Sequence, residues 1–130
     1  MKHLLFIFFM TNLFFVQAQN CNIPKDGKYS IEYDDKFKNY PKCVFEIKGN
    51  DYYQFENDKK KDFKIIKISD CIYKLENKEV IDESKLTDLQ KKLIKQQPYF
   101  EIQKVEGNVY YFVCREDLHV LCYSGKFIKE

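Results

Sequence analysis

Residues 107–127 read GNVYYFVCREDLHVLCYSGKF, the longest uninterrupted strand-forming run beyond the first eighteen residues. The run reads as a β-hairpin with strands Val109–Arg115 and Leu118–Tyr123, turning over Glu116-Asp117. Successive side chains of a strand point to opposite faces, so Tyr110, Phe112 and Cys114 share one face. One extra residue in the turn brings that set onto the face of Leu118, Val120 and Cys122, leaving Tyr111, Val113, Arg115, His119, Leu121 and Tyr123 opposite. A one-residue slip moves every side chain across the sheet, so burial is expected to select this register. It sets Cys114 and Cys122 on a diagonal, beyond the usual reach of a disulfide.

Working outward, residues 1–18, MKHLLFIFFMTNLFFVQA, have the pattern of a secretory leader. Lys2 and His3 form a basic start, Leu4–Met10 and Leu13–Val16 an apolar centre, and Val16-Gln17-Ala18 a small-residue cleavage site. The apolar stretch, broken at Thr11-Asn12, is too short to favour a membrane span. Lipoprotein processing at Cys21 is disfavoured, because Asn20 precedes the cysteine and Ala18 stands three before it. The expectation is export, with the product secreted or periplasmic after cleavage near Ala18. Residues 19–130 then suffice for a single β-rich domain.

The whole chain has 22 basic and 20 acidic residues, and the leader removes one basic residue and no acidic one. The near-neutral, mixed-sign remainder has no basic footprint for nucleic acid. All five cysteines lie beyond the leader, at Cys21, Cys43, Cys71, Cys114 and Cys122. Their spacings match no zinc or redox motif, and the odd count leaves at least one thiol outside any intrachain pairing. Cys21, in an irregular arm, is the expected bridge former, with its partner open.

The remaining strands follow from alternation. Gly27-Lys28-Tyr29 opens KYSIEY with Tyr29, Ile31 and Tyr33 inward, and Asp34–Pro41 is a polar connection. Cys43–Lys48 alternates Cys43, Phe45 and Ile47. An odd loop over Gly49-Asn50-Asp51 would set Ile47 opposite Tyr53 and Phe45 opposite Phe55. Asn57–Lys61 reads as a charged loop tip. Phe63–Ile68 and Cys71–Leu75 pair across Ser69-Asp70, which groups Ile66, Ile68, Cys71 and Tyr73 and leaves Ile65 and Ile72 opposite. Residues 84–96, SKLTDLQKKLIKQ, carry Leu86, Leu89, Leu93 and Ile94 at helical spacing. Ser84 offers a cap, Thr87 with Gln90 a capping box, and Gln97-Pro98 the stop. The stripe is expected to pack on the sheet or close a barrel end. Tyr99–Val105 resumes strand structure, and Gly125 is expected to break the last strand. The fold class is therefore mainly β: an antiparallel meander of about eight strands, open or closed as a barrel, with one short helix inserted at about 84–96.

No constellation in this pattern specifies catalysis. In the preferred register Cys114 and Cys122 face away from His119, the acidic pairs Asp34-Asp35 and Glu116-Asp117 fit turns, and one histidine with scattered thiols makes no metal site. No cofactor is expected. The remaining signal is aromatic: the domain keeps ten tyrosines, seven phenylalanines and no tryptophan. Tyrosines on both faces, as at Tyr52-Tyr53 and Tyr110-Tyr111, point to rings lining a cavity or offered to a partner. The first reading is an apolar small-molecule or peptide site lined by Tyr29, Phe45, Tyr53 and Phe112. The alternative is a protein-interaction module, an inhibitor or surface-complex component, presenting Tyr111, His119 and Tyr123.

The plan, with Gly27-Lys28-Tyr29 at the first strand and Arg115 late in the chain, resembles small lipocalin-like (calycin) domains. There a Gly-x-Trp opens the barrel and a late arginine lies over its ring. The resemblance implies a ligand-binding barrel with Arg115 over Tyr29. More broadly the chain resembles small proteins exported by bacteria.

Overall fold

A computed structural model of the chain describes residues 20–79, 82–95, 97–117 and 119–130. The expected leader and Leu118 lie outside the described residues. Eight strands follow one another: β1 (Gly27–Tyr33), β2 (Val44–Lys48), β3 (Asp51–Glu56), β4 (Lys59–Lys67), β5 (Ile72–Asn77), β6 (Tyr99–Glu106), β7 (Val109–Arg115) and β8 (Leu121–Lys129). Each pairs antiparallel with its sequence neighbours, and β8 pairs back onto β1, closing a barrel. Closure removes both sheet edges.

Antiparallel order puts the connections at two ends. The base carries the tight turns at Gly49-Asn50 and Gly107-Asn108, the β4–β5 loop and the N-terminal arm. The mouth carries the 34–43 connection, the Asn57-Asp58 turn, the β5–β6 connection and the 116–120 loop. Gly49 and Gly107 adopt φ of 61° and 60°, the left-handed first position of a two-residue hairpin turn. Asn57 and Asp58 are both left-handed, at 48° and 61°, and shrink the expected charged tip to two residues, so Lys59–Lys61 belong to β4.

Three registers differ from the sequence expectation, each for a local reason. The turn at Gly49-Asn50 is even, not odd, so Ile47 faces Tyr52 and Val44 faces Phe55. Tyr52 is therefore buried, whereas Tyr53 and Phe55 lie on the outer face. In the β4–β5 loop the amides of Ile68 and Ser69 both donate to the Ile72 carbonyl, lengthening the turn. Ile65 then shares the interior with Tyr73 and Leu75, while Ile66 and Ile68 are exposed. In the β7–β8 loop, Asp117 Oδ1 accepts from the amides of His119 (2.7 Å) and Val120 (2.8 Å). Arg115 pairs with Leu121 but Cys114 with Tyr123, making Cys122 the extra residue of a bulge. The interior set of β8 is thus Tyr123, Gly125 and Phe127 in place of the expected Leu118, Val120 and Cys122: Val120 is exposed and Cys122 only partly buried against the core.

Gly125 does not end its strand. The Glu32 carbonyl oxygen occupies the space a Cβ would need, and the Tyr33 Cα would lie 2.9 Å from it. Only glycine admits β1 this close to β8.

Rings fill the barrel. Phe112 stacks on Phe127 with centroids 3.9 Å apart, Tyr29 on Phe45 at 4.9 Å, Phe45 on Tyr52 at 4.7 Å, and Tyr73 on Phe100 at 5.2 Å. Fully burying each such ring contributes about 2–3 kcal/mol. The helix α1 (Asp88–Lys95) starts with the expected capping box: Gln90 N donates to Thr87 Oγ1, and Thr87 N to Gln90 Oε1. Its stripe differs from expectation at Leu89, which is 67% exposed rather than packed on the sheet. The side chains of Leu93 and Ile94 lie outside the described set. Asp82, not Ser84, caps the short 3₁₀ turn at Glu83–Lys85.

Candidate functional site

The base is sealed. Cys21 is bridged to Cys71, with Cα atoms 5.3 Å apart, and the arm continues across the barrel end. Val105 N donates to the Asn20 carbonyl, Ile23 N to Asp70 and Gly49 N to Asp26 Oδ1. The Tyr29 hydroxyl donates to the Lys25 carbonyl at 2.6 Å. A pocket of 560 Å³ lies outside this seal, lined by Pro24, Lys25, Asp26, Lys67 and Asp70. Its charges are solvated and of both signs.

The mouth is built differently. Ser124 Oγ donates to Asp34 Oδ2 at 2.5 Å and Asp34 N to the Ser124 carbonyl at 3.0 Å, pinning the start of the 34–43 connection to β8. Within that connection Phe37 N donates to Asp34 and Tyr40 N to Phe37, winding a single turn. Tyr40 thereby meets Phe37 (5.8 Å), Tyr33 (5.7 Å) and Tyr123 (5.6 Å). Tyr33 and Tyr123 make an edge-to-face pair at 5.4 Å. Tyr40, Val120 and Leu121, at this same end, keep much of their apolar surface exposed.

Beneath the rim lie the phenols of Tyr52, Tyr73 and Tyr123 and the free thiols of Cys43, Cys114 and Cys122. Burial raises all the phenols above their ordinary value; Cys114 and Tyr29 act on Tyr73, and Tyr73 acts on Tyr52 and Tyr123, so these groups share one continuous interior. Burial also lifts Tyr33 to about 12 and Cys43 to about 11. Cys114 is raised by burial and by its hydrogen-bonding contact with Cys122, which the β8 bulge brings alongside. Cys114 faces Tyr123 with Cys122 on the diagonal, and both thiols are free, as expected. A thiol held protonated is a poor nucleophile. Among the described residues no group of three or more histidine, cysteine or acidic side chains is placed to hold a metal ion.

One atom stands out. The Tyr73 hydroxyl is fully buried and has no hydrogen-bond partner among the described residues. Leaving such a group unsatisfied costs about 1–3 kcal/mol.

The residues singled out from sequence divide between these regions. Tyr29, Phe45 and Phe112 come together, but as mutually stacked filling of the barrel interior. Tyr53 is a correction: the even turn places it outside, under the Lys60 ammonium at 4.4 Å. Arg115 is another. It lies on the outer face with Glu101 at 3.3 Å, while the Tyr29 ring is covered by Phe45 and the edge of Tyr110. The alternative trio is also split. Tyr111 is on the outer face with Lys104 4.3 Å from its ring centre and Glu106 accepting its hydroxyl, His119 is exposed on the 116–120 loop, and Tyr123 points inside. Sequence reasoning missed Tyr33, Tyr52 and Tyr73. The alternation of KYSIEY placed Tyr33 inward, but nothing local marks a phenol that will lack a partner.

No helix among the described residues is long and apolar enough to cross a membrane. Comparison with protein-family models, with curated proteins and with solved structures finds no match to the chain.

Proposed function

We propose that this is an exported, non-enzymatic binding module that takes a small apolar ligand, or one side chain of a peptide, at the barrel mouth. Export is supported by the leader pattern and by the Cys21–Cys71 bridge, which suits an oxidising compartment. The plan remains like that of lipocalin-like domains, with the ligand at the rim instead of deep inside. The observation that carries the reading is the unpartnered hydroxyl of Tyr73, whose ring stacks on Phe100 beside Tyr123, next to the apolar rim of Tyr40, Val120 and Leu121. A buried polar group among rings is the usual way a largely apolar site fixes orientation.

Titration with Nile red, an uncharged dye, tests it. Saturable binding is expected, weakened about threefold or more by Tyr40→Ala at the rim and unchanged by Phe55→Ala on the outer face. Absence of saturable binding would overturn the reading.

A second reading, a protein-interaction face, has one observation in its favour. Val44 and Phe55 face each other across β2 and β3 on the outer surface and remain 44% and 38% exposed. Dye binding lost with Phe55→Ala but kept with Tyr40→Ala would transfer support to it.

A further inference from the structure

We infer that the ligand taken at the mouth is uncharged, with an apolar body and a carbonyl or ether oxygen that accepts a hydrogen bond from Tyr73. The inference rests on the binding reading above and names the chemistry of its ligand.

Four observations converge. The Tyr73 hydroxyl is a buried donor with no acceptor. The groups coupled to it electrostatically, Cys114, Tyr29, Tyr52 and Tyr123, are phenols and a thiol that carry no charge. None of the buried residues described is charged. The only arginine, Arg115, is spent on Glu101 at the outer face.

An anionic head group at this depth would lose its water and gain no cation. Glu56, which acts electrostatically on Tyr33 and Cys43, and Glu116, which acts on Cys114, would repel it further. Lys61, the cation acting on Cys43, is exposed and stays in solvent. An ammonium at this depth likewise loses its water, and no buried carboxylate among the described residues is there to pair with it. Desolvating an unpaired ion costs several kcal/mol, whereas a neutral carbonyl exchanges one hydrogen bond for another. The raised phenol and thiol pKa values agree with a poorly solvated, low-dielectric interior.

The test is competition against Nile red at pH 8 with four probes of nearly equal length: 2-undecanone, decanoate, decylamine and undecane. The ketone is expected to displace the dye at least about 100-fold better than decanoate or decylamine. Tyr73→Phe is expected to lower its affinity about fivefold and leave undecane unchanged. Decanoate or decylamine competing as well as the ketone would overturn the inference while leaving a binding mouth in place. So would undecane matching the ketone with Tyr73→Phe silent. If no probe displaces a dye that binds saturably, the head-group assignment fails alone; if the dye itself does not bind, both readings fail.

Discussion

Tyr29 and Tyr73 are both buried tyrosines of the same barrel, and both stack on a phenylalanine, yet their hydroxyls fare differently. At the base the Tyr29 hydroxyl reaches the Lys25 carbonyl, held there by an arm that is itself bridged and hydrogen-bonded across the barrel end. The Tyr73 hydroxyl, on which Cys114 and Tyr29 itself act electrostatically, has no hydrogen-bond partner among the described residues. One hydroxyl is satisfied from within the chain. The other is a donor in reserve next to a rim of exposed apolar side chains. The contrast separates packing that holds the fold from packing arranged to receive something.

Alkali should have the largest effect, because burial at the mouth raises two ionisable groups, Cys43 and Tyr33. Cys43 is raised from 9.0 to about 11 and Tyr33 from 10.0 to about 12, with burial the leading cause in each. Above about pH 9 the unfolded chain releases protons that the folded chain retains, so stability falls as pH rises. The contribution is intact below pH 9. It should be lost across 9–11 for Cys43 and 10–12 for Tyr33, read as a falling urea midpoint. A midpoint flat to pH 12 would mean these groups are solvated.

Next in size, Phe112→Ala should cost about 3–5 kcal/mol, because its ring is fully buried and stacked on Phe127. Tyr40→Ala at the rim should cost under about 1 kcal/mol. Equal losses in thermal or urea unfolding would erase the distinction between filling and rim.

The sharpest comparison is smaller and depends on sign. Tyr29→Phe removes a satisfied hydroxyl and should destabilise by about 1 kcal/mol, whereas Tyr73→Phe removes an unsatisfied one and should stabilise the ligand-free protein by a similar amount. Two changes of the same sign in urea unfolding would show that Tyr73 is satisfied in solution. Smallest of all, Leu89→Ser on α1 should alter stability by less than about 0.5 kcal/mol, since Leu89 is exposed. A larger loss would place the helix stripe against the barrel.

Much of this fold was legible because its signals are local. Glycine-asparagine pairs mark the turns, alternation marks the strands, and Thr87 with Gln90 declares the helix start. Registers were harder to read. Aromatic residues stand side by side at Tyr52-Tyr53 and Tyr110-Tyr111, and a thiol beside a ring at Cys122-Tyr123, so either face looks fit for burial. The outer face accepts rings by covering them with lysine: Lys60 lies over Tyr53 and Lys104 over Tyr111. With that outlet, burial no longer selects one register, and turn length and the Cys122 bulge decide instead. The site inherited the ambiguity. Tyr53 and Tyr123 changed sides with their registers, and the missing partner of Tyr73 depends on strands far apart in sequence.

The seam between β1 and β8 has a consequence for how the molecule comes into being. The first strand finds its second neighbour only in the last, at pairs from Tyr29 with Lys129 to Tyr33 with Gly125. A nascent chain therefore carries two unmated strand borders until β8 has emerged. Closure waits on that strand, and a chain lacking β8 would be left with an open cylinder prone to recruit copies of itself.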